Sequence, residues 1–149
     1  MKKIYIAILV LIVSSSSLFS QNKPVDTLLE TCGALSAQGV YITYAAIGTL
    51  ADGYAYGVYD DEMTVMSLSE YIALSQVVTD QLNELLATGY LHRDDVGFII
   101  ELNSIYELLI YEADALSKFV ETQDEYYITI YDDNRMKAWN KIVTLLELE

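Results

Sequence analysis

Two short acidic runs carry the side chains with the clearest potential for chemistry. The first occupies residues 60–62, and the second lies within residues 121–125. Crowded carboxylates repel one another unless a cation neutralises them, and Ca²⁺ prefers such hard oxygen ligands. We favour the simpler interpretation that these residues are solvated helix caps, but a calcium site stays open if the two runs meet. The six candidate ligands are Asp60, Asp61, Glu62, Glu121, Asp124 and Glu125.

His92 and Cys32 are the only histidine and cysteine in the chain. His92 lies in the run YLHRDD, where Asp94 and Asp95 could support it as a general base, but a solvated histidine in a turn is the better interpretation. Cys32 has no partner for an internal disulfide, and we interpret it as a small buried hydrophobic side chain. So few ligands do not indicate a zinc or di-iron site.

Motifs for catalysis and cofactor binding are absent from the sequence. It contains no C-x-x-C-H haem attachment site, no nucleotide-binding glycine pattern and no G-x-S-x-G motif. The acidic runs lack the ligand spacing and central glycine of an EF-hand loop. The sequence therefore predicts a protein that is not an enzyme and has no resident cofactor.

The first 20 residues are typical of a secretory signal peptide. Lys2 and Lys3 precede an apolar run at residues 4–13, which is too short to span a bilayer comfortably. We expect cleavage after Ser20, with an earlier cut or an uncleaved anchor as alternatives. The expectation is an exported protein, periplasmic or secreted, with a single domain over residues 21–149.

The net charge limits the possible partners. The chain carries a formal charge of -14, which becomes -16 when Lys2 and Lys3 are removed. Such a charge repels nucleic acid and anionic membrane surfaces, so a nucleic-acid function is excluded and cationic partners are favoured.

Hydrophobic periodicity and the single proline, Pro24, favour helices over short strands. Residues 98–120 carry the clearest stripe, with apolar side chains at alternating spacings of three and four. The predicted fold is all-α, an up-down-up-down four-helix bundle. Its helices are expected at about residues 27–58, 62–88, 94–121 and 123–148.

The helix ends are predicted from capping residues. Asp26 is a plausible N-cap for the first helix, and Asp94 or Asp95 for the third. Thr122 and Glu125 match a capping box before the last helix. Gly89 is the expected left-handed residue after the second helix.

The segment YYITIY, residues 126–131, consists of residues that favour strands. We nevertheless expect a helix, because a helix cap precedes the segment and an amphipathic pattern follows it. A strand is the alternative.

Residues 31–51 contain no charged side chain. Two series with seven-residue spacing run through them, which predicts a helix packed closely inside the bundle. Insertion of this segment into a membrane is a less favoured alternative, because polar side chains dilute it and no basic residue closely flanks it. The small series is Cys32, Gly39, Ala46 and Gly53, and the large series is Leu28, Leu35, Ile42, Thr49 and Tyr56.

These observations together predict an exported, non-enzymatic helical-bundle protein that acts by binding or by self-association. A homo-oligomer or a protein partner is compatible with the seam of small residues. Two alternatives stay open, namely an acidic Ca²⁺-binding module and a membrane-associated subunit inserted through residues 31–51.

Overall fold

The computed structural model describes residues 23–147, and this part of the chain forms four α-helices and no strand. The helices are α1 (Lys23–Ala55), α2 (Asp61–Ala87), α3 (Arg93–Thr122) and α4 (Glu125–Leu145). The predicted all-helical class and the number of helices are confirmed. The signal peptide predicted for residues 1–20 lies outside the described residues.

The chain divides into two compact units, and α1 runs through the boundary between them. The first unit is Met1–Leu35 and the second is Ser36–Glu149. Within the first unit the described side chains, residues 27–35, are exposed or half-buried, and the thiol of Cys32 is exposed. None of the described side chains of this segment is buried, so the prediction of a buried Cys32 is wrong.

The second unit is a helical bundle with α3 at its centre. α3 packs against both α2 and α4, and its apolar stripe is buried along its whole length. Val40 and Ile47 of α1 and Leu68 of α2 join the same core with almost no exposed surface. The stripe predicted over residues 98–120 is thus confirmed as the centre of the core.

The buried face of α1 differs from the predicted one. Ala37, Val40, Ile47 and Leu50 are buried, whereas Ile42 of the predicted large series is 55% exposed. Two stripes with the same spacing exist on this helix, and the one that contains the β-branched Val40 and Ile47 faces the core. The other members of the large series are also exposed: Leu28, Leu35, Thr49 and Tyr56.

The close packing predicted for the small series is found at its two glycines, Gly39 and Gly53, where other side chains come close. A Cβ on Gly39 would lie 2.8 Å from the hydroxyl oxygen of Tyr106, and one on Gly53 would overlap the ring of Tyr59. The close packing predicted for Gly39 therefore involves the tip of a tyrosine side chain.

The observed helix starts differ from all three of the predicted N-caps. α1 begins at Lys23, so Asp26 lies inside the helix. His92 occupies the N-cap position of α3 without a side-chain cap bond, and Asp94 and Asp95 fall in the first turn. Asp124, rather than Thr122, caps α4, since the carboxylate accepts a hydrogen bond from the N–H of Tyr126.

Both predictions about the remaining helix features are confirmed. Gly89 has a φ of 69° directly after the C-cap residue of α2, a conformation that glycine adopts without strain. Residues 126–131 are helical within α4. Packing of Tyr131 into the core outweighs the strand preference of this short segment.

Among residues 23–147, no helix combines the length and the apolar character needed to cross a membrane. Insertion through residues 31–51 thus gains no support.

Candidate binding site around Arg135

Two of the six predicted calcium ligands serve as helix caps. The Asp60 carboxylate accepts a 2.8 Å hydrogen bond from the N–H of Met63 at the start of α2. The Asp124 carboxylate accepts a 2.9 Å bond from the N–H of Tyr126 at the start of α4. These bonds satisfy free N–H groups of the first helical turns, as the simpler interpretation of the acidic runs expects.

Three other members of the predicted set surround one shallow cavity. Asp61, Glu62 and Glu121 line it together with Met66 and apolar neighbours, so the start of α2 lies near the end of α3. Glu125, the first residue of α4, is exposed. Within residues 23–147 no group of three or more acidic, histidine or cysteine side chains is arranged to hold a metal ion. The calcium site stays a prediction.

His92 lies in solvent at the start of α3. Its Nδ1 is 3.9 Å from Oδ2 of Asp94, and both side chains are largely exposed. A solvated histidine beside a helix start is the interpretation that this position supports.

The most unusual group in the molecule is a buried carboxyl on α3. Glu112 has no exposed surface, and its Oε1 accepts a 2.7 Å hydrogen bond from Nη1 of Arg135 on α4. The same Nη1 donates to the backbone carbonyl of Tyr44 on α1, at 3.2 Å. One guanidinium therefore ties together three helices of the second unit.

The guanidinium is further held between aromatic rings and a glycine. It lies 4.1 Å from the ring centroid of Tyr44 and 5.9 Å from that of Tyr131, which are distances typical of cation–π attraction. A Cβ on Gly48 would overlap the guanidinium, so the missing side chain at this position leaves the space that Arg135 occupies beside α1.

The pKa values of Glu112 and Arg135 are both raised. Burial raises the pKa of Glu112 to about 7, while the hydrogen bond and the charge of Arg135 act in the opposite direction. Oε2 of Glu112 is buried and has no hydrogen-bond partner among the described residues, so only one carboxylate oxygen is stabilised. For Arg135 burial acts to lower the pKa, but the bond to Glu112 and the nearby tyrosines outweigh it, so its pKa is raised.

An open cavity of about 720 Å³ lies next to this pair. Its volume falls within the range of about 300–1,000 Å³ that is usual for sites of small organic ligands. Arg135 and Tyr131 line it, and Tyr54 and Tyr59 add two further phenol rings. Apolar and polar lining residues are both present, which include Ala51, Ala55, Leu116, Phe119 and Ile128, and Asp52, Asp61, Gln123 and Asp132.

The side-chain amide of Gln123 forms two hydrogen bonds beside the cavity. Its Nε2 donates to the hydroxyl oxygen of Tyr54 at 2.8 Å and to the backbone carbonyl of Val120 at 2.9 Å. Gln123 has a φ of 55°, in the left-handed region, at the turn between α3 and α4. The end of α1 and this turn are thereby held together on one side of the opening.

The prediction from sequence did not include Glu112, Arg135 or the cavity. The sequence does contain a signal for Glu112, because this residue lies three positions after Leu109 on the buried stripe of α3. Arg135 likewise lies four residues after Tyr131 and three before Ala138, on the buried stripe of α4. An acid on one inward face and a base on the neighbouring inward face predict a buried pair.

Comparison of the chain with protein-family models, with curated proteins and with solved structures gives no match.

Proposed function

We propose that the protein is an exported, non-enzymatic, up-down-up-down four-helix bundle that acts by binding a small organic ligand. The cavity beside Arg135 is the observation that carries this proposal. It combines an apolar wall with a few polar groups held in fixed positions, which is the composition of most ligand sites.

The lining residues support binding more than catalysis. Arg135 uses Nη1 to hold Glu112 and the Tyr44 carbonyl, and its raised pKa keeps it charged. Tyr131 is buried, and burial raises its pKa, so its phenol stays neutral. Neither the thiol of Cys32 nor the imidazole of His92 lines this cavity. The cavity thus offers groups that position a ligand.

A thermal-shift screen of small organic cations, anions and neutral compounds tests the proposal. We expect at least one class to raise the melting temperature, because a ligand at 100 times its Kd stabilises the folded state by about 2.7 kcal/mol. The variant Ala55→Phe should abolish this shift, since Ala55 is an exposed residue that lines the cavity and a phenyl ring there occupies ligand space.

Ala73→Phe is the matched control for that variant. Ala73 is also an exposed helical alanine, but it lies on α2 and does not line the cavity. It should keep the ligand response. The proposal fails if no compound class shifts the melting temperature, or if Ala55→Phe responds as strongly as Ala73→Phe.

Self-association is the second way in which such a bundle could act. An exposed apolar series on α1, which includes Ile42 and Tyr56, is the observation that favours it. Size-exclusion chromatography with light scattering measures the oligomeric state directly. A concentration-independent monomer mass would rule out self-association as the mode of action.

The calcium hypothesis is tested separately. Terbium bound near Asp61, Glu62 and Glu121 would emit after excitation of neighbouring tyrosines such as Tyr59. Sensitised emission that millimolar Ca²⁺ removes would support a cation-binding module. Absence of such a signal would eliminate it.

A further inference from the structure

The charges that face the cavity beside Arg135 have one predominant sign. Asp52, Asp61 and Asp132 line it, and none of them forms an ion pair with a basic residue in the described part of the chain. Among the described lining residues Arg135 is the one positive group, and it already faces the buried Glu112 at 2.7 Å. A ligand in this cavity therefore meets a negative field.

The aromatic groups of the cavity add a second attraction for positive charge. Tyr54, Tyr59 and Tyr131 all line it, and the faces of phenol rings attract cations. The Tyr54 hydroxyl oxygen accepts a hydrogen bond from Gln123, which fixes the ring at the opening. The same protein already shows this preference, because the guanidinium of Arg135 lies over Tyr44 and Tyr131.

The remaining wall is apolar, and this defines the rest of the ligand. Leu116, Phe119 and Ile128 line the cavity, and all three are buried or half-buried. A bare metal ion or a simple inorganic cation would leave this wall in contact with water. An aromatic or branched hydrocarbon group would cover it and gain the transfer free energy of apolar burial.

An anionic ligand is disfavoured by the same geometry. Nη1 of Arg135 already donates to Glu112 and to the Tyr44 carbonyl, so a carboxylate or phosphate would have to share the guanidinium with a buried carboxyl group. It would also lie beside Asp52 and Asp132, whose charges repel it.

We infer that the cavity binds an organic amine, a protonated ammonium group carried on an aromatic or branched apolar body. The ammonium lies toward the carboxylates and phenol rings, and the apolar body lies against Leu116, Phe119 and Ile128. This inference rests on the proposed function, because it names the ligand class of the same site.

Isothermal titration of the purified protein with three matched probes tests the inference. The probes are 2-phenylethylamine, 2-phenylethanol and 3-phenylpropionate, which share a phenyl ring and a short alkyl chain but differ in charge. We expect binding in the order amine, alcohol, acid. Equal binding of all three would overturn the amine inference and leave the proposed function intact, as would preference for the acid. Binding of none of the three, combined with no hit in the thermal-shift screen, would overturn both.

Charge variants locate the site and separate it from general attraction to an acidic protein. Asp52→Asn combined with Asp132→Asn should weaken binding of 2-phenylethylamine about tenfold, since two partly screened ion pairs are lost. Binding of 2-phenylethanol should change little. Asp80→Asn combined with Asp133→Asn removes two charges from exposed residues that do not line the cavity, and should leave amine binding as it is. Equal weakening by both double variants would contradict a site at this cavity.

Discussion

At the scale of single residues, the pair formed by Glu112 and Arg135 is the point at which three helices of the second unit are joined. Glu112 has no exposed surface, whereas the Arg135 side chain is 26% exposed. A buried ion pair adds little net stability, because desolvation of the charges offsets their attraction, but removal of one partner leaves a costly unpaired charge. Its main effect is to fix the relative positions of α1, α3 and α4 at one point.

The raised pKa of Glu112 predicts a specific dependence of stability on pH. From pH 4.5 to about 7 the folded chain holds a proton that the unfolded chain has already released, so stability falls as the pH rises through this window. Glu112→Gln should remove this contribution, which is on the order of 3 kcal/mol across the window. Urea unfolding of the variant and the parent protein from pH 4 to pH 8 measures the difference.

Glu101→Gln provides the matched control for that experiment. Glu101 also joins α3 to α4, through a 2.7 Å bond from Lys141, but both side chains are more than a third exposed. Its loss should change stability by less than about 1 kcal/mol, as for most exposed pairs. If Glu112→Gln showed the same pH profile as Glu101→Gln, the buried carboxyl would not titrate as described.

At the scale of helices, we expect substitution by alanine to have opposite effects on stability at Gly48 and at Gly97. In Gly48→Ala the new methyl group displaces the Arg135 guanidinium from Glu112, so we expect a net loss of about 2–4 kcal/mol of unfolding free energy. In Gly97→Ala the methyl group meets no atom within 4 Å. The better helix propensity of alanine should then stabilise the protein by up to about 1 kcal/mol.

Chemical denaturation of the two alanine variants at pH 8, where Glu112 is ionised, gives both values. A Gly48→Ala variant as stable as Gly97→Ala would show that Arg135 moves aside without loss. Gly39→Leu extends the comparison, because its side chain meets the hydroxyl of Tyr106 and should destabilise by about 1–3 kcal/mol, as overpacking usually does.

Helix number, helix type and the core stripe of α3 could be predicted from the sequence because they depend on local periodicity. The inward face of α1 could not, because Val40 and Ile42 belong to two different stripes with the same seven-residue spacing. Which stripe is buried depends on side chains that arrive from α3 and α4, such as Tyr106 and Arg135. A buried Glu112 could not be predicted from its own helix either, because an acidic side chain in an apolar stripe is unfavourable until a basic side chain on another helix reaches it.

The candidate site was harder to predict than the helices. The acidic residues cluster in sequence, which suggests a metal site, whereas the cap bonds of Asp60 and Asp124 are seen only in the folded chain. The cavity collects Tyr54, Gln123 and Arg135 from three separate segments. No spacing rule along one helix connects such residues, and only tertiary packing brings them together.

At the scale of the whole molecule, the formal charge of -14 predicts that screening stabilises the folded state. Compact folding brings like charges together, and salt reduces their repulsion because the Debye length falls from about 30 Å at 0.01 M to about 10 Å at 0.1 M. We expect the melting temperature to rise over this range in sodium chloride.

Potassium chloride distinguishes general screening from specific binding of sodium. Screening depends on ionic strength alone, so potassium chloride and sodium chloride should raise the melting temperature equally. A rise that occurs only with sodium would contradict the screening explanation and would indicate specific coordination by the carboxylates.

The stacking of Trp139 on Tyr44 gives the protein an intrinsic fluorescent reporter. Trp139 is the single tryptophan of the chain, and its ring lies 5.3 Å from that of Tyr44 at an angle of 25°. The Tyr44 ring also contacts the Arg135 guanidinium. We therefore expect indole emission to respond to the position of that cation, so that ionisation of Glu112 and any movement of Arg135 on ligand binding can be followed without a label.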